Sequence, residues 1–260
     1  VDPEFTFGWS PEHLLGRDYI GGVYLFSAEL FMRINTLAFL DSVTAVIKKN
    51  RDATNTIRYR LLLELGNATK KIVRVPEVLW TEPIPPKAQQ STEVLWASSF
   101  LDSYEPGSTI CGGNPNDNSD AARYVERPLL TAPLVSIIIP TMGKLELITP
   151  CIETLLSHTD YPNFEVVILD NSRGKNPAGI SYLVDKGLNV IECDFDFNWP
   201  RLNNLGAKES SGDLFLFLND DVEITDTAWL TELVKQAQRP CVGTVGALLY
   251  YPEGMLEHAG

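Results

Sequence analysis

Cysteine is scarce in this sequence. The 260 residues hold four, at Cys111, Cys151, Cys193 and Cys241, with no CxxC pair. That spacing supplies neither a zinc ligand set nor the density of a disulfide scaffold, and it suits a reducing cytoplasm. Positive charge is also in short supply: 21 Lys and Arg stand against 34 Asp and Glu, a net charge of −13. A nucleic-acid partner held by a general basic surface is thereby excluded. No apolar run reaches the roughly 18 residues that span a bilayer. No basic segment precedes a short apolar one, so nothing here reads as a signal peptide. Peripheral association with the inner face of a membrane stays open. An anionic ligand on so acidic a chain needs a local device, such as a metal ion or a helix N-terminus.

The remainder is ordinary for a globular protein: 44% hydrophobic and 21% charged residues. The length suffices for one large domain or two small ones. Three stretches differ in composition. Residues 1–80 mix helix and strand signals, with a strand expected over Ile20–Phe26, a helix over Ser27–Ile34, a helix over Ile57–Leu65 stopped by Gly66, and a strand over Lys71–Val75. Residues 81–133 are rich in Pro, Gly, Ser and Asn and read as a linker, with a short helix near Glu93–Leu101 and poor packing over 102–123. Residues 134–260 alternate strand and helix patterns. Strands are expected at Val135–Ile139, Phe164–Leu169, Asn189–Glu192, Leu214–Leu218 and Val242–Leu249. Their unbroken apolar character points to a mainly parallel sheet covered on both faces, with Val135–Ile139, Phe164–Leu169 and Leu214–Leu218 as neighbouring inner strands. Helices are expected around Ile148, Ile152 and Leu155, and around Leu230 and Val234 with Asp226 as N-cap. The chain opens at Val1 and closes just after a strand-like run, as a piece of a longer protein would.

In an open α/β sheet, ligands bind beyond the carboxyl ends of the strands. That rule selects Pro140-Thr141, Asp170-Asn171 and Asn219-Asp220-Asp221, each directly after an apolar strand. Adjacent carboxylates repel, and a bound cation relieves the repulsion. Hard oxygen ligands suit Mg2+ or Mn2+, which can also hold a diphosphate. The competing reading of Asp220-Asp221 is a solvated turn, and that of Asp170 is an Asx turn. In Phe197-Asn198-Trp199-Pro200-Arg201-Leu202-Asn203-Asn204, Pro200 can open a helix whose first turns carry the two Asn. Arg201 and Lys208 could bring positive charge near phosphates; an amphipathic helix with an Asn face is the bland alternative. His258 follows a Pro-Glu-Gly turn.

The runs VSIIIPTMGK, FEVVILDNS, FNWPRLNNLGAKESSGDLFLFLNDDVEI and GALLYYPEGMLEHAG together resemble the inverting GT-A glycosyltransferases of family 2, in particular the bacterial rhamnosyltransferase-like members. The resemblance covers nearly all of 134–260. It implies a GT-A, Rossmann-like α/β fold in which Pro140, Thr141 and Asp170 face the nucleotide base and ribose. Asn204 would lie beside the nucleotide-sugar, and His258 near the acceptor. Asn219-Asp220-Asp221 stands where the family has its DXD motif, so Asp221, with Asp220, would hold Mn2+ or Mg2+ on the diphosphate. Residues 1–80, a smaller α+β segment, resemble the acceptor-side half of the same family. That half usually carries an acidic motif with the general base, but Arg58-Tyr59-Arg60-Leu61 stands there, and arginine cannot accept a proton.

The order is thus acceptor half before donor half, as expected from a cut through a tandem glycosyltransferase; a rearranged single domain is the alternative. The implied activity is cytoplasmic transfer of a sugar from a nucleoside-diphospho-sugar to a glycan or lipid-linked acceptor, with the general base expected beyond Gly260. A nucleotide-sugar-binding module without turnover is the alternative. A phospho-acceptor signalling domain would need an acidic pair after the first strand, where Pro140-Thr141 stands instead.

Overall fold

The computed structural model describes residues 10–16, 25–34, 36–51, 53, 57–72, 90–112 and 123–259. They fall into two units, Val1–Pro128 and Leu129–Gly260.

The first unit is α+β. It holds α1 (Pro11–Gly16), α2 (Ala28–Arg33), α3 (Thr36–Lys49), α4 (Ile57–Ala68) and α5 (Gln90–Tyr104), then an antiparallel pair, β1 (Thr109–Cys111) with β2 (Tyr124–Glu126). The helix expected over Ser27–Ile34 is α2, with Ser27 as N-cap accepting from Leu30 N. Gly66 does not stop α4: the helix runs through it to Ala68, because Gly lowers helix stability by only about 1 kcal/mol. Most of the strand expected over Ile20–Phe26, and Val73–Val75 of the one over Lys71–Val75, lie outside the described residues; Leu25, Phe26, Lys71 and Ile72 are irregular. α5 begins before and ends after the short helix expected near Glu93–Leu101. Trp96, Ala97 and Leu101 pack fully buried beside Tyr59, Leu62 and Leu63 of α4. The middle of the expected linker is therefore part of this core. Within 102–123, the described part includes β1, which is paired rather than loose.

Tyr59 and Arg60, in the segment where the resemblance expects an acidic base, are both 1% exposed. Arg60 pairs with Glu64 one turn along, and Glu64 also accepts from the Tyr104 hydroxyl at 2.6 Å. Burial pulls the Arg60 guanidinium pKa down and Glu64 opposes the shift. This group ties α4 to α5.

The second unit is α/β, as expected. β3 (Val135–Thr141), β4 (Phe164–Asp170), β5 (Asn189–Glu192) and β6 (Leu214–Phe217) form one wholly parallel sheet in the order β5-β4-β3-β6. Helices α6 (Leu145–Ser157), α7 (Pro177–Asp185), α8 (Trp199–Lys208) and α9 (Trp229–Ala237) flank it. The pleat sends alternate side chains of a strand to opposite faces. Ile137 and Ile139 of β3 pack with Ile148, Ile152 and Leu155 of α6, Leu183 of α7, and Leu230 and Val234 of α9. Ile138 joins Val167, Leu169 and Leu202 of α8 in a separate cluster. Gly206 lets α8 sit close: a Cβ there would lie 2.4 Å from Ile138 Cγ2.

Three expectations need correction. Leu214–Phe217 is an edge strand among the described residues, not an inner one: it has β3 as its one neighbour, and Phe215 and Phe217 are about half exposed. The run 242–249 is irregular until Leu248; β7 (Leu248–Tyr250) pairs with β8 (Leu256–Ala259) in a hairpin apart from the main sheet. Asp226 is not the N-cap of α9. Ala228 is, and the Asp226 carboxylate instead accepts from Ala228 N at 2.9 Å.

From β3 the chain moves outward through β4 to β5, then returns through α8 to place β6 on the other side of β3. The connections diverge between β3 and β6, so the switch-point rule puts the ligand crevice beyond the carboxyl ends of these two strands.

Candidate nucleotide-binding edge

A cavity of about 260 Å³ lies at that point, walled by Pro140, Thr141 and Met142 after β3 and by Asn219, Asp220 and Asp221 after β6, with Asn171, Phe197, Trp199 and Leu202 completing it. Each wall is fixed by its own element. Beyond β3 the chain turns at Gly143, whose φ of +70° is a left-handed conformation that side chains rarely adopt. The turn is held from two sides: Gly143 N donates to Thr141 Oγ1 at 2.9 Å, and Asn176 Nδ2 donates to Met142 O at 2.7 Å.

The acidic segment is anchored to β3 and α6. Leu218 N donates to Ile138 O at 3.0 Å, the Cys151 thiol reaches Asn219 O at 3.7 Å, and Ile224 N donates to Thr154 Oγ1 at 3.0 Å. Cys151 lies beneath this loop, and burial followed by the charge of Asp220 pushes its thiol up to about 12. The cysteine is thus held neutral and serves as a packing residue beside a negative field.

Thr141 is 4% exposed and donates its hydroxyl proton to Asp220 Oδ2 at 2.6 Å. Asp221 is exposed, with no hydrogen bond or ion pair to any described residue. Asp170 is not in the cavity wall. Its Oδ1 accepts from Ser172 N at 2.8 Å, an Asx turn, and the turn presents Asn171, whose Nδ2 donates to Cys193 O and Phe195 O at 2.7 Å each. The loop beyond β5 is thereby tied to the end of β4.

α8 opens at the cavity, with Asn198 as N-cap accepting from Arg201 N at 2.9 Å and Pro200 in its first positions. Its phase turns Trp199 and Leu202 into the wall. Asn203 is buried, donating to Trp199 O at 2.9 Å, and Asn204 is exposed and outside the wall. The Arg201 guanidinium lies 3.9 Å from the centroid of the Phe195 ring, and Lys208 stands at the far end of the helix. Neither cation lines the cavity. His258 is exposed on the β7–β8 hairpin opposite Leu249, also outside the wall. The structure thus brings together Pro140, Thr141, Asn171, Asn219, Asp220 and Asp221 of the strand-end residues, with Phe197, Trp199 and Leu202 of the run that opens α8. It adds Met142. The signal for Trp199 was in the sequence: with Pro200 at the start of the helix, residues 199 and 202 share one face.

No group of three or more His, Cys, Asp or Glu side chains among the described residues forms a ready-made metal cage. The donor set nonetheless fits Mg2+ or Mn2+. Mg2+ in phosphate-handling sites is held by one or two carboxylates, with waters and substrate phosphates completing the shell. Asp221 offers a free carboxylate, and Asp220 keeps Oδ1 beyond its bond to Thr141.

Residues 136–258 match the family described as Glycosyl transferase family 2. The O-antigen biosynthesis protein RfbC of Myxococcus xanthus is 34% identical over 270 residues, taking in 99% of this chain and 20% of that protein. The chain therefore spans about a fifth of that relative's length. A GalNAc(5)-diNAcBac-PP-undecaprenol beta-1,3-glucosyltransferase of Campylobacter jejuni is 26% identical over 128 residues, 48% of this chain and 41% of that one. Among solved structures, a mannosyltransferase of Pyrobaculum calidifontis in complex with GDP-Man and Mn2+ is similar with a TM-score of 0.43 at 22% identity, covering 48% of this chain and 38% of that one. The chain carries a glycosyl transferase family 2 domain in residues 136–258.

Proposed function

We propose that this chain is part of an inverting, metal-dependent glycosyltransferase that moves a hexosyl or rhamnosyl unit from a nucleoside-diphospho-sugar to a glycan or lipid-linked acceptor. The observation that carries the reading is the exposed carboxylate of Asp221, unpartnered among the described residues, beside a cavity at the β3–β6 switch point. The N-terminus of α8 opens at the same cavity through Trp199 and places the positive end of its dipole there. Pro140, Met142 and Asn171 wall the crevice for the nucleotide. Asp170 acts from behind, by shaping the turn that presents Asn171. Asn204 and His258 lie outside the cavity wall, so contact with either would need a ligand that extends past it.

In the reaction, an acceptor hydroxyl oxygen bonds to the anomeric carbon from the face opposite the diphosphate. The anomeric C–O bond breaks, the nucleoside diphosphate leaves, and the hydroxyl proton passes to an Asp or Glu base. A cation at Asp221 would offset the negative charge growing on the departing diphosphate. The relative's name, O-antigen biosynthesis protein, supports a role in O-antigen biosynthesis. The four cysteines, all free, support a cytoplasmic setting. No described helix is long and apolar enough to cross a membrane.

The match to the Myxococcus protein runs through both units, which supports the reading of the chain as a section of a longer protein with a 1–80 acceptor-side-like half and a 134–260 donor half. Binding without turnover is the second reading. It is favoured by Arg60, buried and ion-paired where an acceptor-side base would stand. Calorimetric titration with UDP, GDP and dTDP, with and without Mn2+, tests the first step. Wild type should bind at least one more tightly with Mn2+; Asp221→Ala should lose that gain and Asp226→Ala should keep it. Equal binding by wild type and Asp221→Ala would remove the metal assignment.

A further inference from the structure

We propose that Thr141 is a positioning residue for the acidic pair rather than a contact of the nucleotide base, its hydroxyl holding Asp220 so that Asp221 is the carboxylate left for the cation. The inference rests on the nucleotide-binding reading of this edge.

A hydroxyl has one proton to give and two lone pairs. The Thr141 proton is committed to Asp220 Oδ2 at 2.6 Å, a length typical of an O–H donor on an ionised carboxylate. One lone pair accepts from Gly143 N at 2.9 Å. No proton remains for a base carbonyl. The relay from Gly143 N–H through Thr141 to Asp220 runs across the switch point and joins the end of β3 to the segment after β6. Among the described residues β6 has β3 as its one strand neighbour, and their ladder ends at Ile138–Phe217, followed by the bond from Leu218 N to Ile138 O. The acidic segment beyond it is tied to β3 by the Thr141–Asp220 bond. Holding Asp220 also restricts the backbone of Asp221, one residue along. The division of labour follows: Asp220 is tethered and half-buried, whereas Asp221 is exposed and without a partner among the described residues.

The experiment uses the whole chain with UDP and GDP as probes, titrated calorimetrically with and without Mn2+, and Mn2+ alone followed by electron paramagnetic resonance. Thr141→Val keeps the side-chain shape and removes the donor; Thr141→Ser keeps the donor. Thr141→Val should weaken Mn2+ binding and the Mn2+-dependent gain in nucleotide affinity by about ten-fold or more, the usual cost of losing an outer partner in a metal site, and should weaken metal-free nucleotide binding by clearly less. Thr141→Ser should restore the gain. Asp220→Asn, whose amide oxygen can still accept the Thr141 proton, should lose less of the gain than Asp221→Asn, which should lose it all. An equal loss with and without Mn2+ in Thr141→Val would make Thr141 a base contact and overturn the proposal. So would a loss in Asp220→Asn as complete as in Asp221→Asn, or a Thr141→Val protein that behaves as wild type. Circular dichroism checks that each variant is folded, and the Asp220→Asn comparison decides the matter if Thr141→Val is not. A wild type that binds neither nucleotide with Mn2+ overturns the functional reading, and this proposal with it.

Discussion

Gly206→Ala tests the packing that holds α8 against the sheet. In a generic helix interior this change stabilises by about 1 kcal/mol, since alanine is the better helix former. Here the added methyl would meet Ile138 Cγ2 at 2.4 Å and Leu169 Cδ2 at 3.0 Å. Both residues are completely buried in the two central strands. Cγ2 of Ile138 is bonded directly to a branched Cβ with a stiff χ1, so it cannot swing aside. Overpacking of this kind costs about 1–3 kcal/mol. Set against the propensity gain, the net should be destabilising by about 1 kcal/mol, the difference of the two central values. Relief of the clash by moving α8 outward would also shift Trp199 and Leu202, which wall the cavity. Amide exchange read by mass spectrometry on peptides covering 135–141 and 164–170 reports the opening of these strands. Exchange there should quicken about five-fold, since 1.4 kcal/mol is a factor of ten. Unchanged or slower exchange in the variant would refute the close approach of α8 to β3.

Glu165 accepts from Ser136 Oγ at 2.6 Å and from Ser211 N at 2.7 Å, and these bonds hold its pKa below the ordinary 4.5. A carboxylate with a depressed folded value stabilises above its unfolded pKa and loses that contribution as pH falls through the folded one. The stability of the second unit should therefore fall on acidification below pH 4.5, with a shallower slope in Glu165→Gln; identical slopes in a pH series of denaturant melts would count against the network. Arg173 holds φ +53° while pairing with Asp194 and Asp196. Arg173→Ala and Arg173→Gly lose the same ion pairs, but only alanine keeps the left-handed penalty. The glycine variant should be the more stable of the two by about 1 kcal/mol, and the reverse order in urea melts would show that Arg173 is unstrained.

The parallel sheet was legible where strands are unbroken and β-branched. Asn189–Glu192 has the bounds read from the sequence, and β3 and β4 differ from theirs by one or two residues. The edge position of β6 was not legible, because Leu-Phe-Leu-Phe-Leu is apolar on both faces, and that pattern does not say whether a second neighbour lies beside it. In 242–249, Gly243 and Gly246 interrupt a run whose composition otherwise reads as strand, so only its end is paired. Gly66 misled as a stop signal because propensity is a weak prior against the tertiary packing that holds α4. The ligand edge followed from strand order and needed no side-chain detail. Which side chains line it did not, since the phase of α8 decides between Trp199 and Asn204, and one residue of helix is a rotation of about 100°.

The central claim is that a cation and a nucleoside diphosphate occupy the carboxyl edge of β3 and β6. Paramagnetic broadening of amide signals by Mn2+, recorded with UDP or GDP present, locates the ion directly. β3 carries seven residues, so its two ends lie about 20 Å apart at 3.3 Å per residue, and broadening falls steeply over that span. Amides of Met142 and of Asn219 to Val222 should disappear at the lowest Mn2+ concentrations, while those of Val135 and Phe164 at the opposite edge persist. Broadening centred on Val135 and Phe164, or equal loss at both edges, would contradict the placement.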